Sequence, residues 1–127
     1  MPDVLGTMTI TEKSHSSMKK IKAAWVSGQG NYANTVSGTT TNYYDGQIWG
    51  AITVPGTSTT TPLDNYDITV KDSDSIDVAL GALANRDQTN TEYVTSASMA
   101  GVASDTLTIT VTTAGSANSG TLYLLIR

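Results

Sequence analysis

Short apolar–polar alternations separated by turn-rich segments dominate this chain. "GTMTITEK" sets Met8 and Ile10 against threonines, and "KKIKAAWVS" puts Ile21, Ala23 and Trp25 on one side with Lys20, Lys22 and Ala24 on the other. "QIWGAITVP" groups Ile48, Ile52 and Val54 before Pro55 stops it, and "NYDITVKD" groups Tyr66, Ile68 and Val70. "LTITVTT" alternates Leu107, Ile109 and Val111 with threonine, and "TLYLLIR" points Leu122, Leu124 and Ile126 inward, with Tyr123, Leu125 and Arg127 outward. Successive side chains of a strand face opposite ways, so each segment reads as a strand with one buried face and one that is wet or meets a partner. The pattern predicts an all-β fold, an antiparallel β-sandwich of jelly-roll-like or immunoglobulin-like form with about seven or eight strands. "AGSANSG" joins the last two segments and predicts a hairpin. The apolar final strand is expected inside a sheet, because an open edge of that kind invites aggregation.

"KDSDSIDVALGALANRD", Lys71 to Asp87, breaks the alternation. Ile76, Ala79, Leu80, Leu83 and Ala84 recur at i, i+3, i+4, i+7 and i+8, the stripe of an amphipathic helix, so one short helix is expected near residues 75–85. Asp74 or Ser75 would cap it, Asp77 would favour its positive end, and Asn85 would end it in a left-handed conformation. Gly81 costs such a helix about 1 kcal/mol relative to alanine, so it is brief or gives way to an irregular turn. The competing reading is a calcium loop on Asp72, Asp74 and Asp77. An EF-type loop needs oxygens at positions 1, 3 and 5, glycine at 6 and glutamate at 12, and here those last three positions hold Ile76, Asp77 and Leu83. A looser calcium site built on loop carbonyls is the remaining alternative.

Composition narrows the function. The length of 127 residues fits one domain, read as an N-terminal arm (1–6) and a single sandwich domain (7–127). Ser and Thr number 35, of which 22 are Thr, and charged residues are only 14%, which suits pleated polar faces rather than exposed helices. The absence of cysteine removes disulfides, thiolate nucleophiles and Cys-ligated metals. The net charge of −4 argues against a nucleic-acid partner, and no apolar run approaches the roughly 20 residues of a membrane span. "MPDVLGTMTI" lacks the basic and apolar regions of a Sec-type signal.

Catalytic patterns are not found. His15 is the sole histidine and sits in a serine-rich turn, Glu12 and Glu92 are the sole glutamates with nothing to pair them, and no glycine-rich phosphate loop occurs. The expectation is therefore a protein that is not an enzyme and holds no cofactor or metal. Contact candidates are Val4 and Leu5 of the arm, which could order only on a partner, the cluster Lys13, Lys19, Lys20 and Lys22, and the loop aromatics Tyr32, Tyr43 and Tyr44, with Trp49 close behind in a strand. The lysines alternatively decorate an edge strand against unwanted pairing. The segments Gly28–Gly46 and Gly56–Asn65 read as long polar loops.

Three segments, "KKIKAAWVS", "NYDITVKDSDSIDVALGALANRDQTNTEYV" and "LTITVTTAGSANSGTLYLLIR", together resemble a family of small virion-associated proteins of tailed bacteriophages and prophages. Tyr66, Asp67, Asp77, Ala84, Asn85, Arg86, Gly115, Ala117, Gly120, Tyr123 and Arg127 carry the resemblance, which covers roughly residues 18–127. Ala23 stands where the family often has a first Trp, Ser73 and Ser75 replace acidic or Gly residues, and "AGSANSG" lacks the family's Lys. The resemblance implies a structural component of a phage particle and carries over no catalytic residue. The expected function is a capsid decoration or cement protein on the virion exterior, made in the host cytoplasm. Its expected partners are the major capsid protein and copies of itself, as a trimer or dimer. The alternatives are a receptor- or carbohydrate-binding module of a tail tip or fibre, which would place Tyr43, Tyr44 and Trp49 on one exposed face, and a neck or tail adaptor.

Overall fold

The computed structural model describes residues 2–127, with Ser96 as backbone only; Met1, the first residue of the expected arm, lies outside the described residues. Nine strands form two antiparallel sheets: β1 (Thr7–His15), β2 (Met18–Val26), β3 (Val36–Thr39), β4 (Tyr44–Pro55), β5 (Asp67–Lys71), β6 (Glu92–Thr95), β7 (Gly101–Asp105), β8 (Thr108–Thr112) and β9 (Ser119–Ile126). The larger sheet runs β1-β2-β9-β4-β6, and β7 follows β6 along the same side of β4. The smaller runs β3-β8-β5. The all-β sandwich expected from the alternation is present, with strand β9 paired on both sides as its apolarity predicts.

Inward residues of both sheets share one core. Ile21, Ala23 and Trp25 of β2 and Leu122, Leu124 and Ile126 of β9 meet Ile68 and Val70 of β5 and Ile109 and Val111 of β8. Trp25 and Tyr66 pack at 5.5 Å between centroids, tilted by 54°, a geometry worth about 0.5–1.5 kcal/mol beyond its buried area. Trp25 also explains Gly120, its cross-strand partner: a Cβ there would stand 2.5 Å from the indole Cζ2. Tyr66 keeps its proton up to about pH 12, because burial disfavours the phenolate more than nearby Thr53 and Arg86 favour it.

Four expectations are corrected. Within residues 75–85, Asp77 bridges to Lys71 and 78–83 form turns, and no α-helix occurs among the described residues. Ser75, Leu80, Gly81 and Asn85 all take left-handed backbone angles, which a right-handed helix cannot accommodate. Asp77 organises the segment instead. Its carboxylate accepts from the amides of Val70, Ala79 and Gly81 at 3.0–3.1 Å, replacing helical bonds with side-chain ones. Asn85 adopts the expected left-handed conformation, but at the end of a turn.

β8 and β9 do not form a hairpin: they lie in different sheets, and "AGSANSG" carries the chain across the core between them. Each strand buries one apolar face, and placing those faces opposite one another covers both. Ser27 holds the crossover, its hydroxyl donating to the Gly115 carbonyl at 2.7 Å and accepting from the Asn118 amide at 3.0 Å.

A register shift between Ile48 and Gly50 also redirects β4. Ile48 points inward, whereas Ile52 and Val54 are half-exposed and Ala51, Thr53 and Pro55 take the buried positions. An extra residue in one strand of a pair has this effect on everything beyond it. Finally, the arm is bonded to its own domain: Val4 and Gln29 exchange backbone hydrogen bonds, and the Asp3 carboxylate accepts from the backbone and side-chain nitrogens of Asn31.

Candidate interaction face

The β4 register shift has a consequence on the outer surface of the larger sheet. Trp49 is 51% exposed and Tyr93 of β6 is 75% exposed. With Ile52, Val94 and Leu125 they border a groove of about 380 Å³. Pairing aligns Tyr93, Ile52, Tyr123, Lys22 and Thr11 in one row across β6, β4, β9, β2 and β1. The neighbouring row holds Thr95, Gly50, Leu125, Lys20 and Lys13. One end of the face is thus aromatic and aliphatic, and the other is cationic.

The lysines divide into two groups. Lys13, Lys20 and Lys22 surround Tyr123 in a recess of about 240 Å³ completed by Thr11. The ammonium nitrogens of Lys20 and Lys22 stand 5.1 and 5.9 Å from the Tyr123 ring centroid, within cation–π range. Lys19 is the exception: it is half-buried, and its ammonium donates to the Asp45 carbonyl at 2.9 Å. The lysine cluster expected from sequence is therefore a triad on the outer face plus one structural tie.

The other contact candidates scatter. Val4, Leu5, Tyr32 and Tyr43 are exposed, but away from this face's rows. Tyr44 is only 3% exposed, and its hydroxyl donates to Glu12 Oε1 at 2.6 Å. Burial comes first in raising its pKa, followed by that bond and the Glu12 charge. Tyr44 sits at an inward position of β4, which reaches further back than the sequence suggested, so Tyr43, Tyr44 and Trp49 do not form the shared platform of the carbohydrate reading. Tyr93 was missed. Its strand "EYVT" is only four residues long, and the exposed side of its alternation was the available signal.

The acids are engaged elsewhere. The Glu12 carboxylate also accepts from the Thr41 and Asn42 amides, at 3.1 Å each. Glu92 accepts from the Asp87 amide at 2.8 Å and pairs with Arg86 at 3.5 Å. The two glutamates belong to strands at opposite ends of the larger sheet. The Asp72 carboxylate accepts from the Asp74 and Ile76 amides, and no group of three or more potential metal ligands occurs among the described residues. His15 is exposed at the β1–β2 turn.

Several residues that carry the phage-protein resemblance interlock as scaffold. Tyr66 and Arg86 are joined by an isolated antiparallel bridge, and the Asp67 carboxylate accepts from the Asn85 amide and the Thr113 hydroxyl at 2.9 Å each. Asp77 holds the turn, and Gly115 and Ala117 shape the crossover with left-handed angles. No helix among the described residues is long and apolar enough to cross a membrane. Comparison with protein-family models, with curated proteins and with solved structures finds no match to this chain.

Proposed function

We propose that the protein is a binding module rather than an enzyme: a capsid decoration protein that attaches to assembled phage heads from outside and stiffens them. The observation that carries this reading is the unpartnered outer face of the larger sheet, where Trp49 and Tyr93 stand in solvent beside an aliphatic groove. Exposed aromatics beside a groove are the usual anchors of a protein contact. The groove favours a protein over a glycan, since among the described side chains Thr95 brings the one hydroxyl beside it other than that of Tyr93, and sugars need several polar partners. The resemblance in sequence supplies the phage context, and the major capsid protein is the partner it points to. Copies of this chain acting together, as a dimer or trimer, would add avidity, because several modest contacts must then break at once.

Cosedimentation of the purified protein with empty, undecorated heads tests the reading. Saturable binding at a ratio set by capsid symmetry is expected. Failure to bind heads at any concentration short of aggregation overturns it.

A further inference from the structure

We infer that the recess framed by Lys13, Lys20, Lys22, Thr11 and Tyr123 is an anion site that receives carboxylates from an acidic protein surface. This deepens the reading above by naming the chemistry of the partner, and it rests on that reading for the partner's being a protein.

Three observations converge. Pairing sets Lys13 directly opposite Lys20, and Lys22 opposite Tyr123 one row away. Like charges in cross-strand register oppose folding, so the arrangement is unfavourable in the free chain and is relieved by a bound anion. Second, β1, β2 and β9 present no carboxylate on this side among the described residues, and none of the three lysines belongs to an ion pair there. Among the described residues the compensation at hand is the negative quadrupole face of the neutral Tyr123 ring, which draws two ammonium groups together while leaving their N–H donors unspent. Third, the recess adjoins the groove. Lys22 in β2 and Ile52 in β4 are separated only by β9, which at the usual strand spacing is about 10 Å.

A ligand covering both must carry carboxylates and, about two strand spacings away, an apolar side chain to fill the Trp49–Tyr93 groove. An acidic protein surface with a protruding leucine or aromatic meets that description. A nucleic-acid or lipid phosphate array supplies the charge but nothing for the groove, and the chain's net charge of −4 disfavours long-range attraction to either. The carboxylates would accept charge-assisted hydrogen bonds from the ammonium groups and from Thr11.

Two measurements on the folded protein separate this inference from the decoration reading. In the first, amide chemical shifts are followed while poly-L-glutamate is added, with heparin and a neutral dextran as comparison probes. Saturable shifts confined to the Lys13, Lys20, Lys22 and Tyr123 region with polyglutamate, and none with dextran, are expected. No response to polyglutamate, or a response to heparin alone, overturns the anion site as drawn. In the second, Lys20→Glu/Lys22→Glu and the charge-removing Lys20→Gln/Lys22→Gln are compared with wild type in the head-binding assay, after thermal melts establish that both fold. Binding weakened about tenfold or more by the reversal, and less by the neutral pair, is expected. Wild-type binding to heads that neither pair alters overturns the inference while leaving decoration intact. Polyglutamate binding without head binding does the reverse.

Discussion

The two outer faces of the sandwich use different chemistry. On the smaller sheet the outward positions are Ser37, Thr39, Asp67, Thr69, Lys71, Thr108, Thr110 and Thr112. Several of these groups bond within the chain: the Ser37 and Thr110 hydroxyls lie 3.0 Å apart across strands, Thr39 and Thr108 2.9 Å apart, and Asp67 is engaged by Asn85 and Thr113. On the larger sheet the outward positions hold Trp49, Tyr93, Ile52, Tyr123 and three lysines, whose polar and apolar groups find little within the chain. A face of small hydroxyls, most of them paired with one another, offers little apolar area to a partner. A face with exposed aromatics and like charges in register gains area and charge balance when covered. The contrast teaches that exposure alone does not mark a docking surface, since both sheets are exposed and only one carries large exposed aromatics beside lysines in register.

The comparison is most open to attack through binding. Trp49→Ser/Tyr93→Ser should weaken attachment to heads by about thirtyfold or more, the effect of losing a buried aromatic anchor. Thr39→Val/Thr110→Val, on the opposite face, should leave it unchanged. Equal losses from both pairs in a sedimentation titration would erase the distinction between the faces. Next in size is Glu12→Ala. Glu12 is the immediate neighbour of solvent-facing Lys13, yet its carboxylate serves three donors, including the buried Tyr44 hydroxyl. Its loss should cost about 2 kcal/mol in denaturant unfolding.

The pH limits come from groups remote from the lysine face. Asp87 accepts four hydrogen bonds from Thr89 and Asn90, which lower its pKa to about 2, and the Ser73 backbone and hydroxyl lower Asp105. Both folded-state pKa values lie below those of the unfolded chain, so their stabilisation is whole above about pH 4 and drains away toward pH 2. Tyr66 and Tyr44 work in the opposite sense. Their pKa values are raised, so stability is whole below about pH 10 and is lost as pH climbs through the folded value, about 12 for Tyr66. Thermal melts across both limbs check the signs. The smallest effect belongs to Lys13→Gln, which removes the opposition to Lys20 without touching the Tyr123 contacts and should raise stability by a few tenths of a kcal/mol.

Much of the fold was legible because period-two alternation reports burial directly. Ile21, Ala23 and Trp25, or Leu122, Leu124 and Ile126, announce an inward face without any tertiary knowledge. Short elements escaped for the converse reason. "VSGT", "EYVT" and "GVASD" carry too few apolar residues to show a period, and their pairing partners supply the order. The helix stripe at Ile76 and Leu80 was a coincidence of spacing, since both side chains end up exposed while Val78, Ala79 and Leu83 reach the core. The candidate interaction face was half visible. The lysine cluster could be read from the chain, but the aromatic end depends on a one-residue bulge in β4 and on β6 lying beside it, and local sequence encodes neither.

The position of β9 bears on how the chain is made. β2 emerges from the ribosome well before the strand that will flank it, and so does β4. Until β9 arrives, the nascent β1–β2 hairpin has an open edge and a naked apolar side bearing Ile21 and Trp25. Lys20 and Lys22 alternate with those residues along the same strand, the placement by which charges discourage aggregation of exposed apolar strands. Completion of the sheet waits on distant contacts and is expected to be slow, so charges placed between Ile21 and Trp25 would matter most while the sheet is incomplete.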